Sequence, residues 1–152
     1  MNTNIREATP DDIDKLIKLD KVSSGDGLRK YSLDKSAKLF DIREYTGTGG
    51  SLWVAEIESK IVGVVGVRFL GDGQAKIKAL RVHPDFRNKG IATKLIGALE
   101  KYCKEKSITK IIMGVDEKSC DALNLYKSLG YKEYDRKGFG DVAAIYFSKE
   151  MQ

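Results

Sequence analysis

The chain has 152 residues, of which 41% are hydrophobic, 32% are charged and two are cysteines, and its net charge is +5. This length fits one domain with its own core, over residues 1–152. The longest apolar run is too short for a bilayer span, and the first residues do not resemble a signal peptide. We therefore expect a cytoplasmic domain without a membrane partner. Basic and acidic residues are mixed along the chain rather than clustered, which argues against a nucleic-acid partner.

The first half of the chain predicts a strand, two helices and three strands. A threonine and a proline follow the first strand, residues 3–8, and open a helix with an apolar stripe. The stripe consists of Ile13, Leu16, Ile17 and Asp20 or Lys21. A second helix is predicted over Leu33 to Tyr45. β-Branched residues with turns at 58–60 and 71–73 then indicate a hairpin and a third antiparallel strand over residues 75–82.

The second half predicts a β-helix-β unit, another helix and a final hairpin. The first helix begins at Gly90, and a buried strand over residues 110–115 follows it. The next helix ends at Gly130, where a glycine can adopt the left-handed conformation that closes a helix. The last two strands are predicted over residues 131–136 and 142–148, with a turn between them.

The segment between Leu80 and Thr93 carries the strongest local signal. An apolar strand leads through a proline-containing turn into a helix that opens on basic residues and glycine. The first turn of a helix leaves backbone N–H groups unpaired and carries the positive end of the dipole, so an anion can dock there. Gly90 lets the anion approach the backbone, and Arg87 and Lys89 add positive charge. This segment therefore predicts a cradle for a pyrophosphate.

Two motifs in this order of elements resemble the GNAT family of N-acetyltransferases. The first, Arg87-Asn88-Lys89-Gly90-Ile91-Ala92, is similar to the family signature Arg/Gln-x-x-Gly-x-Gly/Ala between a strand and a helix. The second joins Asn124-Leu125-Tyr126 with Leu129-Gly130-Tyr131. The resemblance covers nearly the whole chain. It implies the GNAT α/β fold, a mixed central sheet of about six to seven strands flanked by about four helices, and acetyl-CoA as a co-substrate.

The resemblance also implies which residues bind acetyl-CoA. Leu80, Arg81 and Val82 would be the cofactor-binding residues of the strand, which would splay from its neighbour so that backbone groups of Leu80 and Val82 pair with the pantetheine arm. The pyrophosphate would be held by backbone N–H groups of the helix start, which belong to Arg87, Asn88, Lys89, Gly90, Ile91, Ala92 and Thr93. Asn124 would contact the pantetheine or the thioester end.

The implied reaction is direct attack by a primary amine on the thioester in a ternary complex. Tyr126 would act as the general acid that protonates the departing thiolate, although its place on an amphipathic helix also fits a core residue with its tip in water. Relatives often carry a glutamate where this chain has Lys76 or Lys78, and a charged lysine cannot accept the proton of the amine. The sequence leaves open what removes this proton. The acceptor of the proton could be Glu44, Asp116 or a water chain, or the substrate could arrive partly neutral.

Lys76 and Lys78 themselves have two interpretations. The simpler one places them on the solvated side of a strand. If one of them faces the acceptor groove, it could instead bind a carboxylate of the substrate.

The acceptor side is the least informative part of the sequence. In GNAT proteins it is built by the connection between the first two helices and by the final hairpin, so Tyr31 and Phe139 are the candidate substrate-binding residues. A small amine, an amino acid and a peptide N-terminus fit equally well, and a homodimer stays open. His83 is the only histidine, which excludes a multi-histidine metal site, and we expect no metal.

Two other functions compete with the N-acetyltransferase. The first is a catalytically silent domain that binds acyl-CoA for regulation, which the lysines at the expected position of the base favour. The second is a nucleotide-binding module that accepts other pyrophosphates, for which ADP or NAD would compete as well as CoA.

Overall fold

The computed structural model describes residues 2–23 and 36–152 of the chain. Seven strands in these ranges form one sheet, and five α-helices flank it. The strands are β1 (Asn4–Glu7), β2 (Ser51–Ile57), β3 (Lys60–Gly71), β4 (Gln74–Val82), β5 (Lys110–Asp116), β6 (Lys132–Phe139) and β7 (Val142–Glu150). The helices are α1 (Ile13–Val22), α2 (Ser36–Leu39), α3 (Arg43–Thr46), α4 (Ile91–Glu105) and α5 (Cys120–Ser128). Short 3₁₀ turns, Pro10–Asp12 and Pro84–Phe86, precede α1 and α4.

The sheet has the strand order β1-β2-β3-β4-β5-β7-β6. Neighbouring strands are antiparallel except for β4 and β5, which are parallel and are joined through α4. The predicted mixed sheet of six to seven strands is therefore confirmed. No helix within the described ranges is both long enough and apolar enough to cross a bilayer.

Apolar residues on the two faces of the sheet form two separate cores. One core lies under α4 and α5, and its helical members include Ile91, Leu95, Ile96, Leu99, Cys103 and Tyr126. The other core lies under α1 and α3, and its members include Leu16, Leu19, Tyr45, Leu52, Val54 and Val64. We call these two sides the α4/α5 face and the α1/α3 face. Because both faces of β2 and β3 are covered, their sequences are nearly continuous apolar runs.

The single helix predicted over Leu33 to Tyr45 is wrong. Residues 33–35 lie outside the described ranges, and the rest contains two short helices, α2 and α3, with a break between them. The carboxylate of Asp41 accepts hydrogen bonds from the backbone N–H of Arg43 at 3.0 Å and from its guanidinium at 2.8 Å. Aspartate bonded locally in this way competes with continuous helical pairing, which explains the break.

The predicted turns are confirmed, and one is tighter than expected. Glu58 and Ser59 have φ of 50° and 66° between β2 and β3, as a two-residue hairpin turn requires. Gly130 has φ of 91° after α5, in the left-handed region. The final hairpin was expected to turn over residues 137–141, but β6 continues to Phe139, which pairs with Val142, and only two residues connect the strands.

The absence of a side chain at Gly66 allows the α1/α3 core to close on β3. A Cβ atom built there would collide with the ring of Tyr45 and lie 2.8 Å from Leu52 Cδ1. We predict that Gly66→Ala destabilises the fold by about 1 to 3 kcal/mol through overpacking, which corresponds to about 2 to 4 °C in Tm for each kcal/mol.

Gly97→Ala is the matched control because a Cβ at Gly97 meets nothing within 4 Å and the residue lies inside α4. This variant should be stabilised by about 0.5 to 1 kcal/mol. Thermal unfolding of both variants tests the prediction, and an equal Tm for Gly66→Ala and the wild type would contradict it.

Candidate functional site

Strands β4 and β5 separate after a short parallel pairing and leave a gap in the middle of the sheet. Their paired residues are Gln74 with Lys110, Ala75 with Ile111 and Lys76 with Ile112. Beyond these pairs β4 continues to Val82 and β5 continues to Asp116 without pairing to each other. The splay that the resemblance implied at Leu80 and Val82 is present in the structure.

A β-bulge in β4 lies beside this gap. Ala79 has φ of 63°, and the register of β4 against β3 shifts between Val64 and Gly66. The bulge adds one residue to β4 and changes the alternation of side chains along the strand. As a result Leu80 and Val82 pack against the α4/α5 core, while Arg81 lies opposite Val64 on the α1/α3 face.

The start of α4 has the features expected of an anion site. Asn88 and Gly90 have φ of 60° and 78°, and no side chain caps the helix. The first helical bond to Gly90 is donated by the N–H of Lys94 at 3.1 Å, so the preceding N–H groups have no intrahelical acceptor. A Cβ atom at Gly90 would meet no protein atom within 4 Å. The residues from Arg87 to Gly90 are exposed, and the space above them is open.

Tyr126 lies on the α4/α5 face and is only 3% exposed. Its ring contacts Tyr131 edge to face, with centroids 5.4 Å apart, and stacks at 6.5 Å on Phe147. Burial raises the pKa of the Tyr126 hydroxyl above its usual value, and the positive charge of Arg81 partly opposes this rise. The hydroxyl therefore carries its proton at neutral pH, which a proton donor requires. Its oxygen has no partner among the described residues and is not one of their fully buried polar atoms, so the alternative interpretation of Tyr126 as a core residue with its tip in water also fits the structure.

The α1/α3 face contributes a buried ion pair that sequence reasoning missed. Arg81 Nε donates a hydrogen bond to Asp20 Oδ1 at 2.9 Å, and Arg81 Nη1 donates one to the carbonyl of Leu80 at 2.8 Å. Asp20 is 1% exposed although it is charged. Its position in the apolar stripe of α1 was the signal that could have found it, because a buried charge requires a partner.

Lys76 and Lys78 lie on the α1/α3 face and are half-buried. They pair across the sheet with Arg68 and Gly66. The guanidinium of Arg68 lies over the ring of Tyr45, 5.0 Å from its centroid. The simpler interpretation expected both lysines on the solvated side of the strand. The structure shows that this side is partly covered.

The two candidate bases occupy different positions. Asp116 is the last residue of β5, is 5% exposed and accepts a hydrogen bond from the backbone N–H of Lys118 at 2.9 Å. Glu44 is half-buried on α3. Of the two, Asp116 is on a strand that borders the gap.

The remaining predicted residues are distributed around the gap. Asn124 is exposed on α5, two residues before Tyr126. Phe139 is half-buried at the end of β6, and Tyr31 lies outside the described residues. His83 Nδ1 accepts a hydrogen bond from the backbone N–H of Asp85 at 3.1 Å. Across residues 2–23 and 36–152, no group of three His, Cys, Asp or Glu side chains could hold a metal ion.

Comparison with protein families supports what this geometry indicates. A family model described as acetyltransferase (GNAT) family matches residues 16–131, a range that contains α4, the gap and α5. The chain belongs to the GNAT acetyltransferase family. Human N-acetyltransferase 8B is 29% identical over 96 residues, which are 60% of this chain and 42% of that protein. The chain thus spans less than half the length of this curated relative.

Solved structures of GNAT proteins share the fold over nearly the whole chain. A GNAT acetyltransferase from Staphylococcus aureus Mu50 has a TM-score of 0.83 at 24% identity, with 99% of this chain and 100% of that chain covered. PaiA N-acetyltransferase from Thermoplasma acidophilum, solved in complex with coenzyme A, has a TM-score of 0.80 at 20% identity, with 99% of each chain covered. At these identities the likeness shows the fold of this GNAT protein and not its acceptor.

The backbone of Gly90 generates a prediction for binding of acetyl-CoA. In Gly90→Ala the left-handed φ costs about 1 to 2 kcal/mol of conformational free energy. The added methyl group enters the open space above the helix start, where the diphosphate would contact the backbone. Loss of one hydrogen bond to a charged group should raise the Kd for acetyl-CoA by about 10-fold or more. Isothermal titration calorimetry measures this change. Gly97→Ala, in the same helix, is the control and should keep the wild-type Kd, and an unchanged Kd in Gly90→Ala would argue against the assigned cradle.

Proposed function

We propose that this GNAT protein is an N-acetyltransferase that moves the acetyl group of acetyl-CoA to a primary amine. The observation that supports this most directly is the gap between β4 and β5, which opens beside the uncapped start of α4. An unpaired strand edge and a set of free helical N–H groups are the two kinds of backbone site that a pantetheine amide and a diphosphate need.

The donor would be held on the α4/α5 face. Backbone N–H groups between Arg87 and Thr93 would bind the diphosphate, and the side chains of Arg87 and Lys89 would add positive charge. Leu80 and Val82 would pair with the pantetheine arm, and Asn124 would contact it from α5. Acetyl-CoA supplies the activated acetyl group as a thioester.

Tyr126 is the proposed general acid. Its hydroxyl keeps its proton at neutral pH, and no hydrogen-bond partner for it is found among the described residues, so its donor capacity is available to the leaving sulfur. The rings of Tyr131 and Phe147 pack against the ring of Tyr126 and limit its movement. A fixed donor in a buried site requires little reorganisation when the thiolate departs.

The acceptor would approach from the α1/α3 face, opposite the donor. Its amine must lose a proton before attack, and Asp116 is the carboxylate that we favour for this step because it ends a strand that borders the gap. Its burial also limits access of water to the proton transfer. Phe139, at the end of the final hairpin, would line the acceptor side.

Ligand specificity and turnover together test the proposal. Thermal shift with acetyl-CoA, CoA, ADP and NAD should show stabilisation by the two CoA compounds and little by the other two. Release of free thiol should then depend on an added amine. Binding of acetyl-CoA without thiol release for any amine would favour the silent regulatory domain, and equal stabilisation by ADP and NAD would favour the nucleotide-binding module.

Removal of the Tyr126 hydroxyl tests the role of the general acid. Tyr126→Phe should lower kcat by about 10- to 1,000-fold and leave the Kd for acetyl-CoA nearly unchanged. Steady-state thiol release and calorimetry measure the two quantities. Tyr102→Phe is the matched control, since the Tyr102 hydroxyl donates to the carbonyl of Gly49 at 2.9 Å, away from the gap. If Tyr126→Phe turned over as fast as Tyr102→Phe, Tyr126 would not be the acid.

A further inference from the structure

The guanidinium of Arg81 is fixed at the edge of the gap from two sides. Arg81 Nε donates to Asp20 Oδ1 at 2.9 Å, and Nη1 donates to the carbonyl of Leu80 at 2.8 Å. The side chains of Arg81 and Asp20 are 15% and 1% exposed. Because one anchor is on α1 and the other is on β4, the group is held in a defined orientation before any substrate arrives.

This arrangement leaves part of the guanidinium available to a ligand. An arginine side chain has five N–H donors in a planar fork, and the two bonds above use one on Nε and one on Nη1. Among the described residues, no acceptor is bonded to Nη2. The side chain is mostly buried, but Nη2 is not among the fully buried nitrogens without a partner in the described residues, so this end of the guanidinium is accessible.

The location of these donors matches the acceptor side of the proposed reaction. Arg81 lies opposite Val64 on the α1/α3 face, and its backbone neighbour Leu80 packs on the other face. Its charge also affects the hydroxyl of Tyr126, which lies on the α4/α5 face. The guanidinium is thus close to the passage between the two faces, where donor and acceptor have to meet.

Three further cationic side chains lie on this face of β3 and β4. Lys78 and Lys76 precede Arg81 on β4, and Arg68 lies opposite Lys76 on β3. Each of these three side chains has interactions of its own. The N–H groups that Arg81 leaves unused are therefore the feature of this face that favours an acceptor with an anionic group.

We propose that Arg81 binds a carboxylate of the acceptor, so that the preferred substrates are amines with a carboxylate a few bonds from the nitrogen, the class of free amino acids. The inference rests on the proposed N-acetyltransferase function. A guanidinium binds a carboxylate through parallel N–H···O bonds, which fix its orientation as well as its position. Asp20 holds the guanidinium in place for this contact, and the bound carboxylate in turn directs the amine toward the thioester.

Matched pairs of acceptors test this proposal with the wild-type protein. Each pair consists of an amino acid and its carboxamide. The amine of the carboxamide has the lower pKa, so a larger fraction of it is neutral at a given pH. Each KM is therefore expressed as a concentration of neutral amine. Loss of a hydrogen bond to a charged group predicts a KM at least about 10-fold lower for the amino acid than for its carboxamide. Equal KM values within each pair would overturn the proposal.

Substitution of Arg81 identifies the residue responsible. Arg81→Gln should abolish the preference, measured as the ratio of the two KM values within the variant, and should keep thiol release with the carboxamide measurable. The KM for acetyl-CoA should also be kept, because the donor contact assigned to this strand uses backbone atoms. Glutamine can still donate to the buried Asp20, and a melting curve checks that the variant folds. Arg81→Lys, which keeps the charge without the planar fork, should recover part of the preference.

Arg43→Gln is the control for loss of one positive charge, since the Arg43 side chain is 86% exposed and pairs with Asp41 on the surface. It should keep the full preference for the amino acid. A preference for the amino acid that persists in Arg81→Gln would contradict the role of Arg81. Absence of thiol release with every amine would instead count against the proposed function itself, so the two failures are distinguishable.

Discussion

The short parallel pairing of β4 with β5 is the constraint on which the site depends. Each strand is paired along its other edge, β4 with β3 as far as Val82 and β5 with β7 as far as Asp116. The edges that face the gap therefore contain backbone groups with no partner in the sheet. An unpaired backbone group that is removed from water costs about as much as a lost hydrogen bond, so a ligand that carries amide groups is a favourable occupant of the gap.

The groups proposed to bind the donor and the acceptor lie on opposite faces of the sheet around the gap. On one face lie the uncapped start of α4 and the hydroxyl of Tyr126, which are the proposed anion site and the proposed proton donor. On the other face, α1 supplies Asp20, which fixes the guanidinium of Arg81. The β-bulge at Ala79 decides which face each following residue takes, so that Leu80 lies on the α4/α5 face and Arg81 on the α1/α3 face. In the proposed reaction, donor and acceptor would therefore approach the same point from different directions.

The sequence predicted most of this fold because its signals are local. Alternation of apolar residues indicated the strands, and glycine and proline marked the turns, including Gly130 after α5. The proposed anion cradle is also a local feature of the sequence, since its residues are contiguous between Arg87 and Thr93. The ion pair of Asp20 and Arg81 was not, because its members are 61 positions apart and meet only in the folded chain. For the same reason the half-buried environment of Lys76 and Lys78 could not be inferred from strand alternation, which gives the face of a residue but not what covers it.

The most direct test of the central claim is an NMR titration of the ¹⁵N-labelled protein with acetyl-CoA. If the diphosphate binds to the start of α4 and the pantetheine arm lies along β4, the largest amide shifts will occur from Gly90 to Thr93 and at the end of β4, near Leu80 and Val82. Binding that leaves these amides unchanged, or that shifts a different set of residues, would contradict the account.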